Sequence, residues 1–304
     1  MKYIDCAKYA QEILDEVKKV PNKGKLVIIN VGDDPASQVY VRGKIKDCEY
    51  CGISVEHIKI ADNSDADVEL MWTIRENNGD PDVAGIIVQL PLPEQMRDYD
   101  YCKEIVPWKD VDGLGSDQYF KPCTPKGIVH LMKKELGNLT GKNVLIIGRS
   151  NLVGKPLAKM LLDEDCTVTI AHSKTNPDCL RDCMLRANIV VSAAGQAKAF
   201  NLKDCLSAEI VVDVGINRDE NNRLCGDFYG FDEDVWNDFE VTHVPKGVGL
   251  LTRAMLMKNV AEASERKLKW LTKPELFSHG KRMQWRDLRC RMGYHTQTKS
   301  FILN

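Results

Sequence analysis

The sequence predicts an α/β fold: two α/β domains around a cleft, the second a Rossmann-like, doubly wound parallel sheet. Short apolar runs alternate with longer helical patterns along most of the chain, which is typical of parallel sheets with helices on both faces. The alternation occurs in two runs, separated by the prolines of PCTP (122–125). The 304 residues suit one large or two medium domains.

The elements follow from these patterns in order. In the first run, strands are predicted at 25–31, 53–60 and 83–90 and helices at 37–51 and 65–77. In the second run, strands are predicted at 143–148, 166–172, 188–194 and 209–215 and helices at 126–136, 155–164 and 176–187. A last helix at 252–271 is predicted to return to the first domain. We therefore expect a first domain at 1–122 with this returning helix, a second at 123–251, and a basic extension at 272–304.

Composition excludes several classes of protein. The chain is 43% hydrophobic and 28% charged, with a formal charge of −2, as in ordinary globular proteins. No apolar run approaches the roughly 20 residues of a membrane span, and the amino terminus lacks the apolar core of a secretory signal. Eleven cysteines, an odd number without the spacing of a small scaffold, favour reduced thiols over disulfides. We expect a cytoplasmic protein without a membrane partner.

The segment 143–158 has the pattern of a nucleotide-binding strand, turn and helix. The strand leads to Gly148, which permits a tight turn, and Gly154 has no side chain to keep a ligand away. The amino terminus of the following helix is expected to offer unpaired N–H groups to a pyrophosphate. Arg149 and Ser150 depart from the usual G-x-G-x-x-G row. On spacing alone, a purely structural turn therefore stays open as an alternative.

The next strand favours NADP over NAD. A site for NAD places an acidic residue at the end of this strand, about 20 residues on, to bind the ribose hydroxyls. Here the strand ends in His172, Ser173 and Lys174, without an acid. A hydroxyl and a cation suit a 2′-phosphate, and Arg149 adds a second cation of forked geometry. We therefore predict an NADP site that includes Arg149 and Ser173.

Two further glycines extend this site. Gly195 and Gly215 follow the next two strands, at places where a backbone must pass close to the cofactor. A single glycine there would indicate a turn, whereas two at successive strand ends favour a binding edge. We add Ile216, which follows Gly215, to the predicted cofactor-binding residues.

A tyrosine and a lysine share one face of the first helix. Ser37, Tyr40 and Lys44 are spaced i, i+3 and i+7, so the ring and the ammonium project together. The alternative is an exposed lysine beside an amphipathic tyrosine. Tyr-x-x-x-Lys is also the catalytic pair of short-chain dehydrogenases. In that family the pair follows the glycine turn, whereas here it precedes the turn, and this order disfavours that interpretation.

Polar residues also follow the third strand of the first run. Gln89 lies at the carboxyl edge of that strand, and two prolines stiffen the next loop. Asp110 and Asp112 precede a glycine, where a turn with solvated acids is an equal alternative. Two carboxylates fall short of a metal shell, and Cys48-x-x-Cys51 has no second pair at zinc spacing. We expect no metal.

Seven motifs, in this order, resemble the bifunctional methylenetetrahydrofolate dehydrogenase/cyclohydrolase family: VGDDPASQVYVRGK, GIIVQLPLP, KDVDG, PCTP, GRSNLVGKP, HSKT and GDF. The resemblance covers about residues 1–267. It implies two α/β domains around a cleft, usually in a homodimer. It also implies NADP-linked oxidation of 5,10-methylene-tetrahydrofolate and hydrolysis of the methenyl product to 10-formyl-tetrahydrofolate.

The resemblance implies roles for residues of the first domain. Lys44 matches the family's essential lysine, and Gln89 matches the partner of that lysine. Tyr40 matches its ring-stacking tyrosine, and Asp112 its pterin-binding acid. A lysine that acts as acid and base can help water add to the oxidised carbon, and a carboxylate can accept hydrogen bonds from pterin N–H groups. We also place Gly249, in the closing loop, among the substrate-binding residues.

Two features depart from the family pattern. The closing loop usually reads P-G-G-V-G-P-M-T, but here it is PKGVGLLT, with Lys246 for a glycine and Leu250 for a proline. The segment between DVDG and PCTP is also shorter. A dehydrogenase with weak or no cyclohydrolase activity therefore stays open. A different NADP-dependent reductase and a non-catalytic folate- or nucleotide-binding module are further alternatives, and the presence of Lys44 and Asp112 disfavours the module.

The last residues differ from the rest in charge. From 266 to 304 there are ten Lys/Arg and two Asp/Glu. Trp285, Leu288 and Met292 fall on one helical face, which predicts an extra helix docked on the acidic body. A nucleic-acid partner is disfavoured, because one basic helix without a recognisable nucleic-acid fold is weak support for it.

Overall fold

A small parallel sheet forms from the first half of the chain. The computed structural model describes residues 2–115, 119–231 and 239–271, so the extension at 272–304 lies outside the described residues. The first elements are β1 (Lys2–Ile4), α1 (Cys6–Lys18), β2 (Lys25–Val31), α2 (Pro35–Cys51), β3 (Val55–Ile60), α3 (Ala66–Gly79) and β4 (Val83–Val88). β2 lies between β3 and β4, parallel to both. Leu26–Val31 of β2 are all buried, as expected of a central strand in a covered parallel sheet.

A larger sheet forms from the second half. Its elements are α4 (Cys123–Leu136), β5 (Asn143–Ile147), α5 (Gly154–Leu162), β6 (Thr167–Ala171), α6 (Pro177–Arg186), β7 (Ile189–Ser192), β8 (Phe200–Asn201), β9 (Ile210–Asp213), β10 (Asn217–Arg218), β11 (Leu224–Cys225), β12 (Phe228–Tyr229), β13 (Glu240–Thr242) and α7 (Val248–Leu271). Six parallel strands lie in the order β1-β13-β9-β7-β5-β6. β10 pairs with β11, and β8 pairs with β12, in two small separate sheets. The predicted α/β fold class with parallel sheets is confirmed.

Most differences from the predicted elements lie at their ends, but the sequence patterns did not predict α1, β1, β8 or β10–β13. α4 begins at Cys123, inside PCTP, because a proline is tolerated in the first turn of a helix. α7 begins at Val248, so Gly249 belongs to its first turn rather than to a loop. β1 was not predicted, because it is only three residues long and pairs with β13 at the far end of the sequence.

The long helix α7 joins the two halves. It packs against α1, α2 and α4. One continuous hydrophobic core contains Ile28 of the small sheet, Ile146 of the large sheet and Met257 of α7. Two smaller clusters cover the outer faces of the two sheets. Both sheets are therefore held in place by burial against the same helices.

A buried amide in α7 anchors two loops. The Asn259 side chain is fully buried, and its Nδ2 donates to the carbonyl oxygens of Val111 (2.8 Å) and Lys121 (3.2 Å). Its Oδ1 accepts from Lys126 Nζ at 2.6 Å. Asn259 thereby binds the loop after β4 to the start of α4.

No helix within residues 2–115, 119–231 and 239–271 is long and apolar enough to cross a membrane.

Replacing this amide should destabilise the protein. We expect Asn259→Ala to lower the free energy of unfolding by about 2–4 kcal/mol, because it leaves two carbonyls and an ammonium without their buried partner. Chemical denaturation measures the change. Lys258→Ala, which removes only a surface ion pair with Glu16, should change it by less than about 0.5 kcal/mol. Equal losses in the two variants would contradict this account of Asn259.

The loop before α7 should gain stability from a glycine. Lys246 has φ +76°, in the left-handed region that disfavours side chains. We expect Lys246→Gly to raise the free energy of unfolding by up to about 1 kcal/mol, since relief of strain exceeds the added chain entropy. Lys246→Ala keeps the Cβ and is the control. If the alanine variant gains as much as the glycine variant, backbone strain is not the cause.

Candidate functional site

The centre of the candidate site is a buried lysine on α2. Lys44 is 7% exposed, and its Nζ donates to Gln89 Oε1 at 3.0 Å. Gln89 directly follows β4, and its own Nε2 donates to the carbonyl oxygen of Leu90 at 2.7 Å. This second bond fixes the amide so that its oxygen faces the ammonium. The predicted alternative of an exposed Lys44 is wrong, because α2 turns this face towards the sheet.

Tyr40 lies one helical turn before Lys44 and is half-buried. A Cβ built on Gly249 would lie 3.1 Å from the Tyr40 hydroxyl oxygen, so the first turn of α7 contacts the tyrosine. Burial raises the pKa of the Tyr40 hydroxyl, and the charge of Arg253 on α7 opposes this shift. Arg253 is held by Asp47 of α2, with Nε to Oδ2 at 2.7 Å and Nη2 to Oδ1 at 3.0 Å. The structure therefore brings Tyr40 and Gly249 together.

Asp112 lies beside a buried cysteine, Cys123. The Cys123 thiol is buried and donates to the carbonyl oxygen of Val111 at 3.4 Å. Burial raises the pKa of Cys123 well above its usual value; the nearby Asp112 carboxylate raises it further, whereas the Lys44 ammonium lowers it. The charges of Lys44 and Asp112 therefore both act on this one thiol. Asp112 itself is partly exposed, and its side chain hydrogen-bonds the Cys123 thiol.

The neighbouring aspartate, Asp110, instead accepts hydrogen bonds from the backbone. Asp110 is buried and accepts hydrogen bonds from the N–H groups of Gly113 (3.1 Å) and Gly115 (2.7 Å). Burial raises its pKa to about 6, and these N–H groups oppose that shift. Asp110 is therefore not a solvated turn acid: it is buried and holds the turn of the DVDG segment, whereas Asp112 is partly exposed.

No group of three or more His, Cys, Asp or Glu side chains is placed to hold a metal ion among the described residues. All cysteines in the described ranges are free thiols. Cys48 and Cys51 are buried in the core, where Cys48 contacts Met257.

The nucleotide-binding edge lies on the large sheet. β5 has β6 on one side and β7 on the other, so the chain reverses its direction of progress across the sheet next to β5. In open α/β sheets, ligands bind at such a switch point, beyond the carboxyl ends of the strands. Because the strands are parallel, the loops after β5, β6, β7 and β9 all meet at this edge. These loops, with Gly154 at the start of α5, contain all the predicted cofactor-binding residues.

The turn after β5 is tightly packed. Gly148 has φ +127°, and a Cβ on Gly154 would lie 2.2 Å from the Gly148 carbonyl oxygen, so a side chain at residue 154 is excluded. Ser150 Oγ accepts from the N–H groups of Val153 (3.1 Å) and Gly154 (3.5 Å). The N–H of Lys155 donates to the Ser150 carbonyl oxygen. The sequence predicts that these N–H groups are unpaired. In the structure they instead form hydrogen bonds within the turn.

Two polar side chains border this turn. Arg149 is exposed and makes no ion pair with another described residue, and Ser173 is also exposed. The loop after β6 is shaped by His172, whose N–H donates to Thr175 Oγ1 at 2.9 Å. A forked cation and a hydroxyl at neighbouring strand ends, with no acid between them, fit the 2′-phosphate of NADP.

The loops after β7 and β9 complete the edge. Gly195 has φ +63°, and Ile216 is 50% exposed, a large fraction for an isoleucine. A Cβ on Gly215 would lie 2.2 Å from Asp227 Oδ1, so the loop after β9 packs directly against that carboxylate.

Three residues of the site region were not singled out from the sequence: Arg253, Asn259 and Asp227. Each acts on a residue distant in the chain, at separations of 206, 148 and 35 residues in the bonds to Asp47, Val111 and Ser192. Asp227 lies in the GDF motif, which contributes to the family resemblance but predicts no function for this aspartate. The other two fall on a helix that is largely buried all round, where no local pattern distinguishes them.

Two family models match most of the chain. Residues 4–112 match the tetrahydrofolate dehydrogenase/cyclohydrolase catalytic domain, and residues 122–268 match the NAD(P)-binding domain of the same family. The chain is 42% identical to bifunctional protein FolD of Bacillus subtilis over 271 residues, which cover 85% of this chain and 93% of that protein. It is 41% identical to the FolD protein of Agathobacter rectalis, over 84% of this chain and 94% of that protein.

Solved structures agree with these matches. The FolD methylenetetrahydrofolate dehydrogenase/cyclohydrolase of Campylobacter jejuni superposes with a TM-score of 0.79 at 36% identity, covering 86% of this chain and 98% of that one. The Trypanosoma brucei enzyme, complexed with NADP cofactor and inhibitor, also gives 0.79, at 29% identity, covering 88% of this chain and 98% of that one. The matched domains, the relatives and the site geometry lead to one conclusion. The chain belongs to the tetrahydrofolate dehydrogenase/cyclohydrolase family.

Proposed function

We propose that this chain oxidises 5,10-methylene-tetrahydrofolate with NADP and hydrolyses the methenyl product to 10-formyl-tetrahydrofolate. The observation that carries this proposal is the buried Lys44, hydrogen-bonded to Gln89, with Tyr40 and Asp112 nearby. The family match covers both the catalytic and the nucleotide-binding halves. A different NADP-dependent reductase is therefore disfavoured, and so is a non-catalytic module.

The proposed chemistry assigns a proton-transfer role to Lys44. NADP, when bound, supplies the acceptor for the hydride that leaves the methylene carbon. The carbon that remains is open to attack by water. As a neutral amine, Lys44 can take a proton from this water and then deliver that proton to the nitrogen that leaves as the ring opens. Gln89 is neutral, so it orients the lysine without fixing its charge in an ion pair.

The remaining residues of the first half are proposed to bind the folate. Tyr40 offers a flat ring beside Gly249, and stacking on such a ring favours an aromatic ligand. Asp112, which is partly exposed, can accept hydrogen bonds from pterin N–H groups. In the second half, Gly148, Arg149, Ser150, Gly154, Ser173, Gly195, Gly215 and Ile216 remain the proposed cofactor-binding residues.

Both activities are proposed for one chain. The alternative of weak cyclohydrolase activity rests on Lys246, in the loop before α7, and on Leu250, which follows Gly249 in the first turn of α7. Lys44 and Gln89 are nevertheless both present and bonded. A coupled assay that follows NADPH formation and methenyl absorbance on the purified protein tests the proposal directly. NADPH formation without loss of the methenyl compound would instead support the dehydrogenase-only alternative.

We also propose a cytoplasmic homodimer. The free thiols support the compartment, and the family resemblance supports the dimer. The predicted docking of the basic extension concerns residues 272–304 and stays a prediction.

Loss of the buried ammonium should abolish the hydrolytic step. We expect Lys44→Met to reduce cyclohydrolase activity by about 100-fold or more, the usual contribution of general acid–base catalysis. NADP affinity should stay near that of the wild type, because Lys44 lies in the half opposite the nucleotide-binding edge. Absorbance of the methenyl compound and calorimetric titration with NADP measure the two effects.

The matched control is Lys46→Met, on the same helix but exposed. It should leave both quantities unchanged. If Lys44→Met hydrolyses the methenyl compound at a rate close to that of the wild type, the role assigned to Lys44 is wrong.

Cofactor preference should depend on Arg149. A charge-assisted phosphate contact contributes about 1.5–3 kcal/mol, so we expect NADP to exceed NAD in kcat/KM by roughly 10- to 150-fold. Arg149→Ala should narrow this ratio mainly through a higher KM for NADP. Arg186→Ala, an exposed arginine at the end of α6, is the control and should leave the ratio unchanged. Equal kcat/KM values for the two cofactors in the wild type would contradict the 2′-phosphate assignment.

A further inference from the structure

A carboxylate is completely buried beside the nucleotide-binding edge. Asp227, in the turn before β12, has no exposed surface. No step of the proposed reaction uses it. A buried carboxylate is costly unless hydrogen bonds satisfy its oxygens. Its partners therefore show what its burial achieves.

Asp227 collects donors from two separate loops. Its Oδ2 accepts from Ser192 Oγ (2.7 Å), Ala194 N (3.0 Å) and Gly195 N (3.2 Å). Its Oδ1 accepts from Gln196 N (2.9 Å) and Asn217 Nδ2 (2.8 Å). Every one of these partners is a donor, which suits a carboxylate because an ionised carboxyl group can only accept.

The first four donors define the shape of the loop after β7. Three consecutive N–H groups, from Ala194 to Gln196, point at a single carboxylate. The chain must turn around the side chain to do so, and Gly195 supplies the left-handed φ of +63° in that turn. These three N–H groups are consequently unavailable to a phosphate.

The fifth donor connects the loop after β9. Asn217 follows Ile216, and Gly215 packs so closely on Asp227 Oδ1 that a Cβ would lie 2.2 Å away. A second buried carboxylate strengthens this junction: Asp213 Oδ1 accepts from Gly215 N (2.9 Å) and Asp227 N (3.0 Å). Burial raises the pKa of Asp213 to about 6, and the charge of Asp227 adds to this shift. The two loops are therefore locked to each other through one side chain.

We propose that Asp227 is a positioning residue for the cofactor, which fixes the loops after β7 and β9 so that Gly195 and Ile216 are presented to NADP. This inference rests on the proposed NADP site. It assigns Asp227 no contact with the cofactor. It also explains why a buried carboxylate lies next to a site for a polyanion: the donors around it absorb its charge.

A purely structural role would have a different signature. A residue that only stabilised the fold would weaken both activities together, through loss of folded protein. A residue that positions these two loops should affect NADP binding and leave the cofactor-independent cyclohydrolase reaction intact. The two activities of the same protein thus separate the explanations.

The test uses Asp227→Asn in the full-length protein. The amide replaces one acceptor oxygen by a donor, which opposes the N–H groups that surround it. We expect the Kd for NADP, measured by calorimetric titration, to rise about tenfold or more, as for loss of hydrogen bonds to a charged group. Cyclohydrolase kcat and KM should stay within about twofold of the wild type. Asp204→Asn, in the same half and paired only at the surface with Arg181, should leave the Kd unchanged.

A second variant covers the case in which Asp227→Asn does not fold. Ser192→Ala removes one donor and keeps the carboxylate, and it should weaken NADP binding by about 2- to 10-fold. An unchanged Kd in the folded variants, or a parallel fall of both activities with the melting temperature, would overturn the positioning role. Failure of the wild-type protein to bind NADP would instead contradict the proposed function.

Discussion

The packing of α7 against both halves of the molecule is the constraint on which the site depends. Its first turn contacts Tyr40 through Gly249, its middle pairs Arg253 with Asp47, and Asn259 binds the loop that carries Asp112. These contacts are spaced along one helix, so the positions of Tyr40 and Asp112 are set by a single rigid element. A shift of α7 would therefore move both Tyr40 and the loop that carries Asp112.

The two neighbouring aspartates after β4 show how burial separates functions within one short motif. Asp110 is enclosed, accepts backbone N–H groups and has its pKa raised to about 6, so it is committed to the turn. Asp112 remains partly exposed, beside Lys44 and Cys123. The turn held by the first aspartate determines the direction of the second. The nucleotide-binding edge shows the same division between neighbouring residues. Ser150 accepts hydrogen bonds within the turn after β5, whereas Arg149 is exposed to solvent.

Sequence reasoning identified the elements whose patterns are local. β2 was predicted at the residues where it occurs, because a buried parallel strand is a continuous apolar run with clear boundaries. Lys44 and Tyr40 were found from helical spacing, and Gln89 from its place at a strand end. The sequence could not reveal β1, whose pairing with β13 joins the two ends of the fold. Asp227 was also missed, because buried carboxylates are recognised by their partners, and those partners lie on two separate segments.

The position of β1 has a consequence for how the protein folds as it is synthesised. Lys2 to Ile4 pair with Glu240 to Thr242, so the first strand made must wait for nearly the last before the large sheet is complete. The helix that covers both halves follows later still. Contacts between such distant segments slow folding, because the intervening chain must be ordered before they form. Neither half can therefore complete its core before β13 and α7 have been synthesised, and severing the chain between the two domains would leave each fragment without a strand or helix that it needs.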